Sequence, residues 1–119
     1  MKRVLVVDDD ESIRSIVADL LEYAGYEVIT AQNGAQALDL VRALQPDAVI
    51  LDLMMPVLDG WGFLKACRKE EWCASIPVLV LSAYRQLAEV AQDDLRVSDF
   101  LAKPFEIQAL LKAVKGLLA

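Results

Sequence analysis

The hydrophobic pattern of the chain alternates between short apolar runs and longer segments with helical spacing. Short runs rich in Val, Ile and Leu are typical of strands buried on both faces of a parallel sheet. Apolar residues at i, i+3, i+4 and i+7 predict amphipathic helices between these runs. The pattern predicts strands at residues 4–7, 26–31, 48–51, 77–81 and 100–102, and helices at 13–24, 37–44, 63–67, 85–98 and 107–118.

Glycine, proline and turn residues mark the ends of these elements. Gly25 stands where the first helix should end, and Pro46 ends the second helix. Asn33-Gly34 is a turn pair that follows the second strand. Pro56 and Asp59-Gly60 predict a loop before the third helix.

Five strand–helix units predict an α/β protein whose parallel sheet is covered by helices on both faces. At this length we expect the flavodoxin-like (βα)5 doubly wound sheet with strand order 2-1-3-4-5. The units leave no room for a linker, so residues 1–119 are expected to form a single domain. Because this fold hosts many functions, the function has to be inferred from individual residues.

Charge and composition narrow the classes of partner. The 119 residues include 12 Lys and Arg against 18 Asp and Glu, a net charge of -6. Phosphate backbones and anionic lipids both favour a basic surface, so we expect neither nucleic acid nor membrane as a partner. The sequence contains no apolar run of about 18 residues and no signal peptide, which indicates a cytoplasmic protein.

The numbers of cysteines and histidines limit the chemistry that the chain can carry out. Cys67 and Cys73 are too few for a disulfide framework, and in a reducing compartment we expect both to be free thiols. The chain contains no histidine. Histidine-based catalytic triads, imidazole zinc sites and a histidine phosphoryl carrier are therefore excluded.

Polar side chains follow the predicted strands at the edge where parallel strands end. Asp8 and Asp9 follow the first strand, Asp52 the third, Ser82 the fourth and Lys103 the fifth. Two carboxylates about 5 Å apart repel by roughly 3 kcal/mol at an effective dielectric near 20, so the acidic cluster needs a cation or a proton. Mg²⁺ fits best, since it prefers oxygen ligands and one or two carboxylates together with a phosphate.

The remaining groups at this edge suit phosphoryl transfer. Lys103 offers a positive charge to a phosphoryl oxygen, and Ser82 offers a hydroxyl donor. Asp52 is the central carboxylate and is predicted to supply the attacking oxygen. Taken singly, each residue has a plainer explanation: Asp10 is a predicted helix cap, and Asp52 could be a turn residue. The set is distinctive because separate strands bring all of its members to one edge.

Four motifs carry a family resemblance over essentially the whole chain. They are Val6-Val7-Asp8-Asp9, Leu51-Asp52-Leu53-Met54-Met55-Pro56 with Asp59-Gly60, Leu81-Ser82-Ala83, and Asp99-Phe100-Leu101-Ala102-Lys103-Pro104-Phe105. Together they resemble the receiver domain of bacterial two-component response regulators. The chain departs from the family pattern in two places near the weakly periodic helix at 85–98. Arg96-Val97-Ser98 stands where the family usually has a small Gly-Ala-like pair, and the interval between Ser82 and Lys103 is slightly short.

The resemblance implies a role for each motif residue. Asp52 would be the phosphoacceptor. Mg²⁺ would be bound by Asp9, by Asp52 and by the backbone carbonyl of Met54, with Asp8 acting mainly through metal-bound water. Ser82 and Lys103 would contact the phosphoryl group, and Ser82 with Phe100 would form the switch. The Lys103-Pro104 peptide bond is expected to be cis.

The resemblance also implies a signalling function without turnover. A sensor histidine kinase or a phosphotransfer protein would donate its phosphoryl group to Asp52 in a Mg²⁺-dependent reaction. The face made by the helix at 85–98, the fifth strand and the last helix would then change and control binding of a downstream protein target. A phosphorylation-dependent dimer is a further form of this output. Without an output domain, the chain would be a stand-alone receiver, or equally a domain excised from a longer protein.

Three alternative functions fit the sequence less well. A haloacid-dehalogenase-like phosphatase also forms an aspartyl-phosphate, but its nucleophile lies in an Asp-x-Asp motif. In this chain Met54 stands where the second aspartate of that motif would be. A flavin-phosphate binder of the same fold needs neutral donors after the first strand, where Asp8, Asp9 and Asp10 would repel a phosphate. The third alternative is a degenerate receiver that only binds partners, which the retention of every pocket residue disfavours.

Overall fold

The structure is a computed structural model that describes residues 1–55, 57–83 and 97–118. It contains five strands: β1 Arg3–Val7, β2 Glu27–Ala31, β3 Ala48–Asp52, β4 Val78–Ser82 and β5 Asp99–Ala102. The helices of the described residues are α1 Glu11–Tyr23, α2 Gly34–Leu44, α3 Gly60–Arg68, the one-turn α4 Glu71–Ala74, and α5 Ile107–Leu117. None of these helices is long and apolar enough to cross a membrane.

All five strands pair in parallel in the order β2-β1-β3-β4-β5. The predicted flavodoxin-like topology is therefore confirmed. The chain reverses its winding direction between β1 and β3, and in open sheets of this kind ligands bind outside the carboxyl ends of the strands at that point. The register Val7↔Leu51, Asp52↔Leu81 and Ser82↔Ala102 brings the last residues of the strands level with one another.

The central strands are buried on both faces because their residues are apolar, except Arg3 at the start of β1 and the last residues of β3 and β4. Alternate residues of each strand enter two separate hydrophobic cores. One core packs beneath α2 and α3 and includes Leu5, Val7, Val49, Leu51, Val80, Val41, Phe63 and Leu64. The other packs beneath α1 and α5 and includes Val4, Val6, Ile50, Leu79, Leu81, Val17, Leu21, Leu110 and Val114. The edge strands β2 and β5 are only half-buried.

Side-chain caps set where three helices begin. The Asp10 carboxylate accepts hydrogen bonds from the amides of Ser12 (2.9 Å) and Ile13 (3.2 Å), so its predicted role as the cap of α1 is confirmed. Asn33 accepts from the Gln36 amide and caps α2, whereas the sequence indicated only a turn. Asp59 accepts from the Gly62 amide at 2.8 Å and caps α3.

The predicted elements match the structure closely, with two differences. The one-turn helix α4 was not predicted, since four residues are too few to show a helical period. The helix predicted at 85–98 lies mostly outside the described residues; Val97 and Ser98, at its end, precede β5 as non-helical residues.

The expectation that Cys67 and Cys73 are free thiols was wrong. The two residues form a disulfide that joins the end of α3 to α4, with their Cα atoms 5.0 Å apart. The chain reverses direction between α3 and α4, which brings the cysteines together. The hydrophobic pattern did not predict this reversal. Both cysteines are fully buried in the core beneath α2 and α3.

Candidate functional site

The carboxyl edge of the sheet carries the polar residues predicted from the strand ends. Asp8 follows β1 directly, Asp52 is the last residue of β3, Ser82 is the last residue of β4, and Lys103 follows β5. The Lys103 amide donates to the Ser82 carbonyl oxygen at 2.9 Å, which extends the β4–β5 ladder beyond the last paired residues. The Lys103-Pro104 peptide bond is cis, as expected.

An ion-pair network joins three of these side chains. The Lys103 ammonium lies 2.8 Å from Asp8 Oδ2 and 3.6 Å from Asp52 Oδ2. Asp8 is 1% exposed and Asp52 is 6% exposed, so both carboxylates have lost most of their contact with water. Breaking such a buried pair by removing one partner leaves an uncompensated charge, which makes these three residues interdependent.

Asp8, Asp9 and Asp52 form a cluster with metal-ligand spacing. One carboxylate oxygen from each lies within 4.8 Å of the others, with Asp9 exposed and the other two buried. Three carboxylates and the Lys103 ammonium carry a formal net charge of about −2 when all are ionised, which a divalent cation would balance. Three hard oxygen donors fit Mg²⁺, and the exposed side would leave room for its waters.

The pKa of Asp52 is raised from 3.8 to about 6. The largest cause is burial of the carboxylate, which disfavours its charged form; repulsion by Asp8 and Asp9 acts in the same direction. Attraction to Lys103 and the hydrogen bond from the Met54 amide (3.3 Å) oppose this rise. At pH 7 about nine-tenths of a carboxyl with such a pKa is still ionised, so a carboxylate oxygen is available as a nucleophile.

The remaining predicted residues, Ser82, Phe100 and Met54, differ in exposure. Ser82 is almost fully buried at the end of β4. Phe100 is half-buried on β5 and packs against the core beneath α2 and α3. Met54 lies two residues beyond Asp52 in the loop after β3, where 54% of its surface is exposed.

Sequence reasoning missed three supports of the cluster. The Asp10 amide donates to Asp8 Oδ1 at 3.0 Å, and the Arg14 guanidinium donates to the Asp8 carbonyl oxygen at 2.9 Å. Arg14 lies in the first turns of α1, close to the end of β1. This position is the one feature of the sequence that could have indicated its contact with Asp8. Gly60 is a further support, because a Cβ there would lie 2.5 Å from the Asp52 carbonyl oxygen.

A comparison with protein families agrees with this geometry. The family model described as the response regulator receiver domain matches residues 4–115. The chain is 41% identical over 119 residues to the DNA-binding dual master transcriptional regulator RpaA of Synechocystis sp., and the match covers 99% of this chain and 49% of that protein. The chain thus spans about half the length of the curated relatives it matches.

Solved structures give the same result. The chemotaxis response regulator CheY4 of Vibrio cholerae is 36% identical, with a TM-score of 0.92 and coverage of 99% of both chains. The response regulator TrrA of Thermotoga maritima, solved in complex with Mg(2+)-BeF, is 35% identical, with a TM-score of 0.86 and coverage of 99% of this chain and 100% of that one. This chain belongs to the response regulator receiver domain family, the phosphorylation-dependent signalling domains of two-component systems.

Proposed function

We propose that Asp52 is the phosphoacceptor of this receiver domain and that a phosphohistidine of a sensor histidine kinase or phosphotransfer protein is the donor. An Asp52 carboxylate oxygen forms the new O–P bond while the N–P bond to the donor imidazole breaks. The observation that carries the proposal is the Lys103 ammonium between two buried carboxylates, 2.8 Å from Asp8 and 3.6 Å from Asp52. It supplies positive charge where phosphoryl oxygens would collect.

We propose Mg²⁺ as the resident cation, held by Asp8, Asp9, Asp52 and the backbone carbonyl of Met54. When bound, Mg²⁺ neutralises charge on the phosphoryl oxygens during transfer. The cluster within 4.8 Å supports this assignment, as does the complex of the relative TrrA with Mg(2+)-BeF. The amide of Met54 donates to Asp52 Oδ1, which fixes one carboxylate oxygen and leaves the other facing Lys103.

Ser82 and Phe100 are proposed as the switch. Phosphorylation adds negative charge and acceptor oxygens at Asp52, and the Ser82 hydroxyl together with Lys103 would bond these oxygens. Phe100 is half-buried on the neighbouring strand β5, so it could turn inward as Ser82 moves. The surface that includes β5 and α5 would then control binding of a downstream protein target or of a second copy of the chain.

Several coarser expectations belong to this proposal. We propose a phosphoacceptor rather than a turnover enzyme, because Leu53 and Met54 follow Asp52 and supply no acid for ester hydrolysis. The net charge of -6 supports protein partners over nucleic acid for this domain, although the relative RpaA is a DNA-binding protein. The cytoplasmic location and the organisation of residues 1–119 as a single domain stay predictions.

Labelling by a small phosphodonor tests the proposal. The purified chain is incubated with acetyl phosphate, with Mg²⁺ or with EDTA, and the bound phosphoryl group is measured by intact-protein mass spectrometry. We expect hydroxylamine-labile labelling only with Mg²⁺, and its loss in Asp52→Asn. The same substitution at Asp19, an exposed residue of α1, is the matched control and should label normally. Stoichiometric acyl phosphate in Asp52→Asn would overturn the assignment.

A further inference from the structure

The corner between α3 and α4 contains chemistry that the phosphoacceptor site does not use. Cys67 lies in the last turn of α3 and Cys73 lies in α4, and a disulfide joins them across six positions of sequence. Both residues are fully buried. α3 begins beside Asp52 and is nine residues long, so at 1.5 Å per residue the corner lies roughly 13 Å along the helix from that end.

Arg68 holds this corner independently of the disulfide. One guanidinium nitrogen, Nη1, lies 3.2 Å from the carbonyl oxygens of Cys73 and Ala74 and 3.1 Å from that of Ile76. These bonds bring the end of α4 back toward α3. The Arg68 hydrogen bonds do not require the S–S bond, so the backbone between α3 and α4 can keep its conformation when the sulfurs are reduced.

The surroundings of Cys67 suit a reduced sulfur as well as an oxidised one. Its Sγ atom lies 3.2 Å from the Cys73 carbonyl oxygen, which can accept the proton of a thiol. The same atom lies 3.8 Å from Arg68 Nη1. Positive charge therefore lies beside the Cys67 sulfur, and this charge favours the departure of Cys67 when the disulfide is attacked at Cys73.

α4 offers the route by which a reagent reaches the buried sulfurs. It consists of a single turn, and its first amides receive no side-chain cap from Glu70. Short helices without caps open at low cost, because few bonds have to break. A groove of about 370 Å³ lies beside this turn, lined by residues that include Leu38, Arg42, Lys69 and Trp72.

We propose that Cys67 and Cys73 form a reversible redox modification site that exchanges with low-molecular-weight thiols and disulfides of the glutathione class. In reduction, an external thiolate attacks Cys73 Sγ, the S–S bond breaks, and Cys67 leaves as a thiolate beside Arg68. A second external thiolate attacks the mixed disulfide and releases Cys73, so two electrons enter the pair and two external thiols become one disulfide. Oxidation by the disulfide form runs the same steps backward.

The redox state sets the local stability of the α3–α4 corner and of the adjoining groove. In the oxidised form the disulfide ties α4 to α3, which is anchored in the core through Phe63 and Leu64, so α4 opens less often than in the reduced form. In the reduced form α4 is held by Arg68 and by the packing of Trp72. The labelling of Asp52 should not depend on this state, so the inference stands or fails separately from the proposed function.

Thiol labelling and hydrogen exchange of the wild-type chain test the proposal. Protein purified without reductant should take up no thiol-alkylating reagent. After millimolar reduced glutathione or dithiothreitol without denaturant it should take up two equivalents, and oxidised glutathione should reverse this. The amides of residues 69–76 should exchange at least tenfold faster after reduction, while β1 and β3 keep their rates. The melting temperature should fall by roughly 5–10 °C.

Four results would overturn the proposal. If reduction requires a denaturant, the disulfide is a permanent structural bond. If the far-UV circular dichroism is lost on reduction, the fold depends on the disulfide. Failure of oxidised glutathione to form the bond would remove the site altogether. Equal exchange rates at residues 69–76 in both states would remove the effect on the corner.

Variants separate the role of Arg68 from that of the cysteines. Reduction of Arg68→Gln should be several-fold slower than reduction of Arg68→Lys, because both variants lose the guanidinium bonds to the end of α4 and only lysine keeps the positive charge. Lys65→Gln, at an exposed position of α3, should be reduced at the wild-type rate. Cys67→Ser leaves Cys73 alone and should trap a mixed disulfide with oxidised glutathione. Absence of that mixed disulfide in folded Cys67→Ser would contradict the proposed exchange at Cys73.

Discussion

At the scale of single residues, Asp52 holds a carboxylate where burial opposes its charge. Its pKa is raised to about 6 in the folded protein, above the 3.8 of a free carboxyl. A raised carboxyl pKa means that the folded state binds a proton more tightly than the unfolded state does. The resulting stability is fully present below about pH 4 and is lost as the pH rises through 6.

Asp52→Asn should therefore stabilise the chain in a pH-dependent manner when Mg²⁺ is absent. The amide cannot ionise, so the variant avoids the loss of stability between pH 4 and 7. Two pK units correspond to almost 3 kcal/mol, and partial access of water reduces our expectation to roughly 1–2 kcal/mol at pH 7.5. Urea denaturation in EDTA at pH 4, 6 and 7.5 measures the free energy of unfolding. Asp19→Asn controls for the loss of one surface carboxylate. If Asp52→Asn raises the free energy of unfolding equally at all three pH values, ionisation of the buried carboxyl is not the cause.

Much of the site was predictable at this scale, and the cysteine pair was not. Asp8, Asp52, Ser82 and Lys103 each follow a run of apolar residues, and parallel strands must end at one edge, so the sequence alone indicated their proximity. A disulfide requires Cα atoms within about 7 Å, which depends on the course of the chain between the cysteines. Composition and compartment say nothing about that course.

At the scale of elements, the start of α3 shows how closely helices and strands approach at the site. A Cβ on Gly60 would lie 2.5 Å from the Asp52 carbonyl oxygen and 2.7 Å from Leu53 Cα, and these backbone atoms cannot move without moving the end of β3. Gly116, in the last turn of α5, has open space where its Cβ would be.

Gly60→Ala and Gly116→Ala should consequently change stability in opposite directions. We expect Gly60→Ala to destabilise the chain by about 1–3 kcal/mol through overpacking and to weaken Mg²⁺-dependent labelling of Asp52. Gly116→Ala should leave labelling unchanged and stabilise the chain by up to about 1 kcal/mol, since alanine favours a helix. Chemical denaturation and phosphodonor labelling of both variants measure this. A Gly60→Ala chain as stable and as readily labelled as the wild type would contradict the close approach.

Apart from the helix predicted at 85–98, which lies mostly outside the described residues, the elements were predicted to within a few residues, because each long strand or helix repeats its period several times. The one-turn α4 is the exception. The caps were harder: Asn33 was assigned to a turn, since the same side-chain oxygen can close a turn or begin a helix. The length of the helix that follows decides between these two roles.

At the scale of the whole molecule, the acidic cluster joins segments that are distant in sequence. Asp8 and Asp9 precede α1, while Asp52 ends a strand in the middle of the chain. An unfolded chain has no comparable arrangement of carboxylates, so a cation bound at this cluster would favour the folded state by mass action.

Mg²⁺ should raise the free energy of unfolding of the whole chain. At a Mg²⁺ concentration ten times its Kd, the gain should be about 1.4 kcal/mol. Asp9→Asn should remove most of this gain, and Asp10→Asn, which keeps a capping side chain for α1, is the matched control. Thermal or urea unfolding at increasing Mg²⁺ concentration measures the effect. A gain in Asp9→Asn equal to that of the wild type would argue against the proposed ligands.

The ion pair between Lys103 and Asp8 spans 95 positions of sequence, from the end of the first strand to the end of the last. A chain still emerging from the ribosome therefore has the acidic side chains long before it has the ammonium that balances them. Until β5 docks on β4, the ion pair cannot form and the cluster is incomplete. On the proposed function, we therefore expect a chain that ends before Lys103 to accept no phosphoryl group.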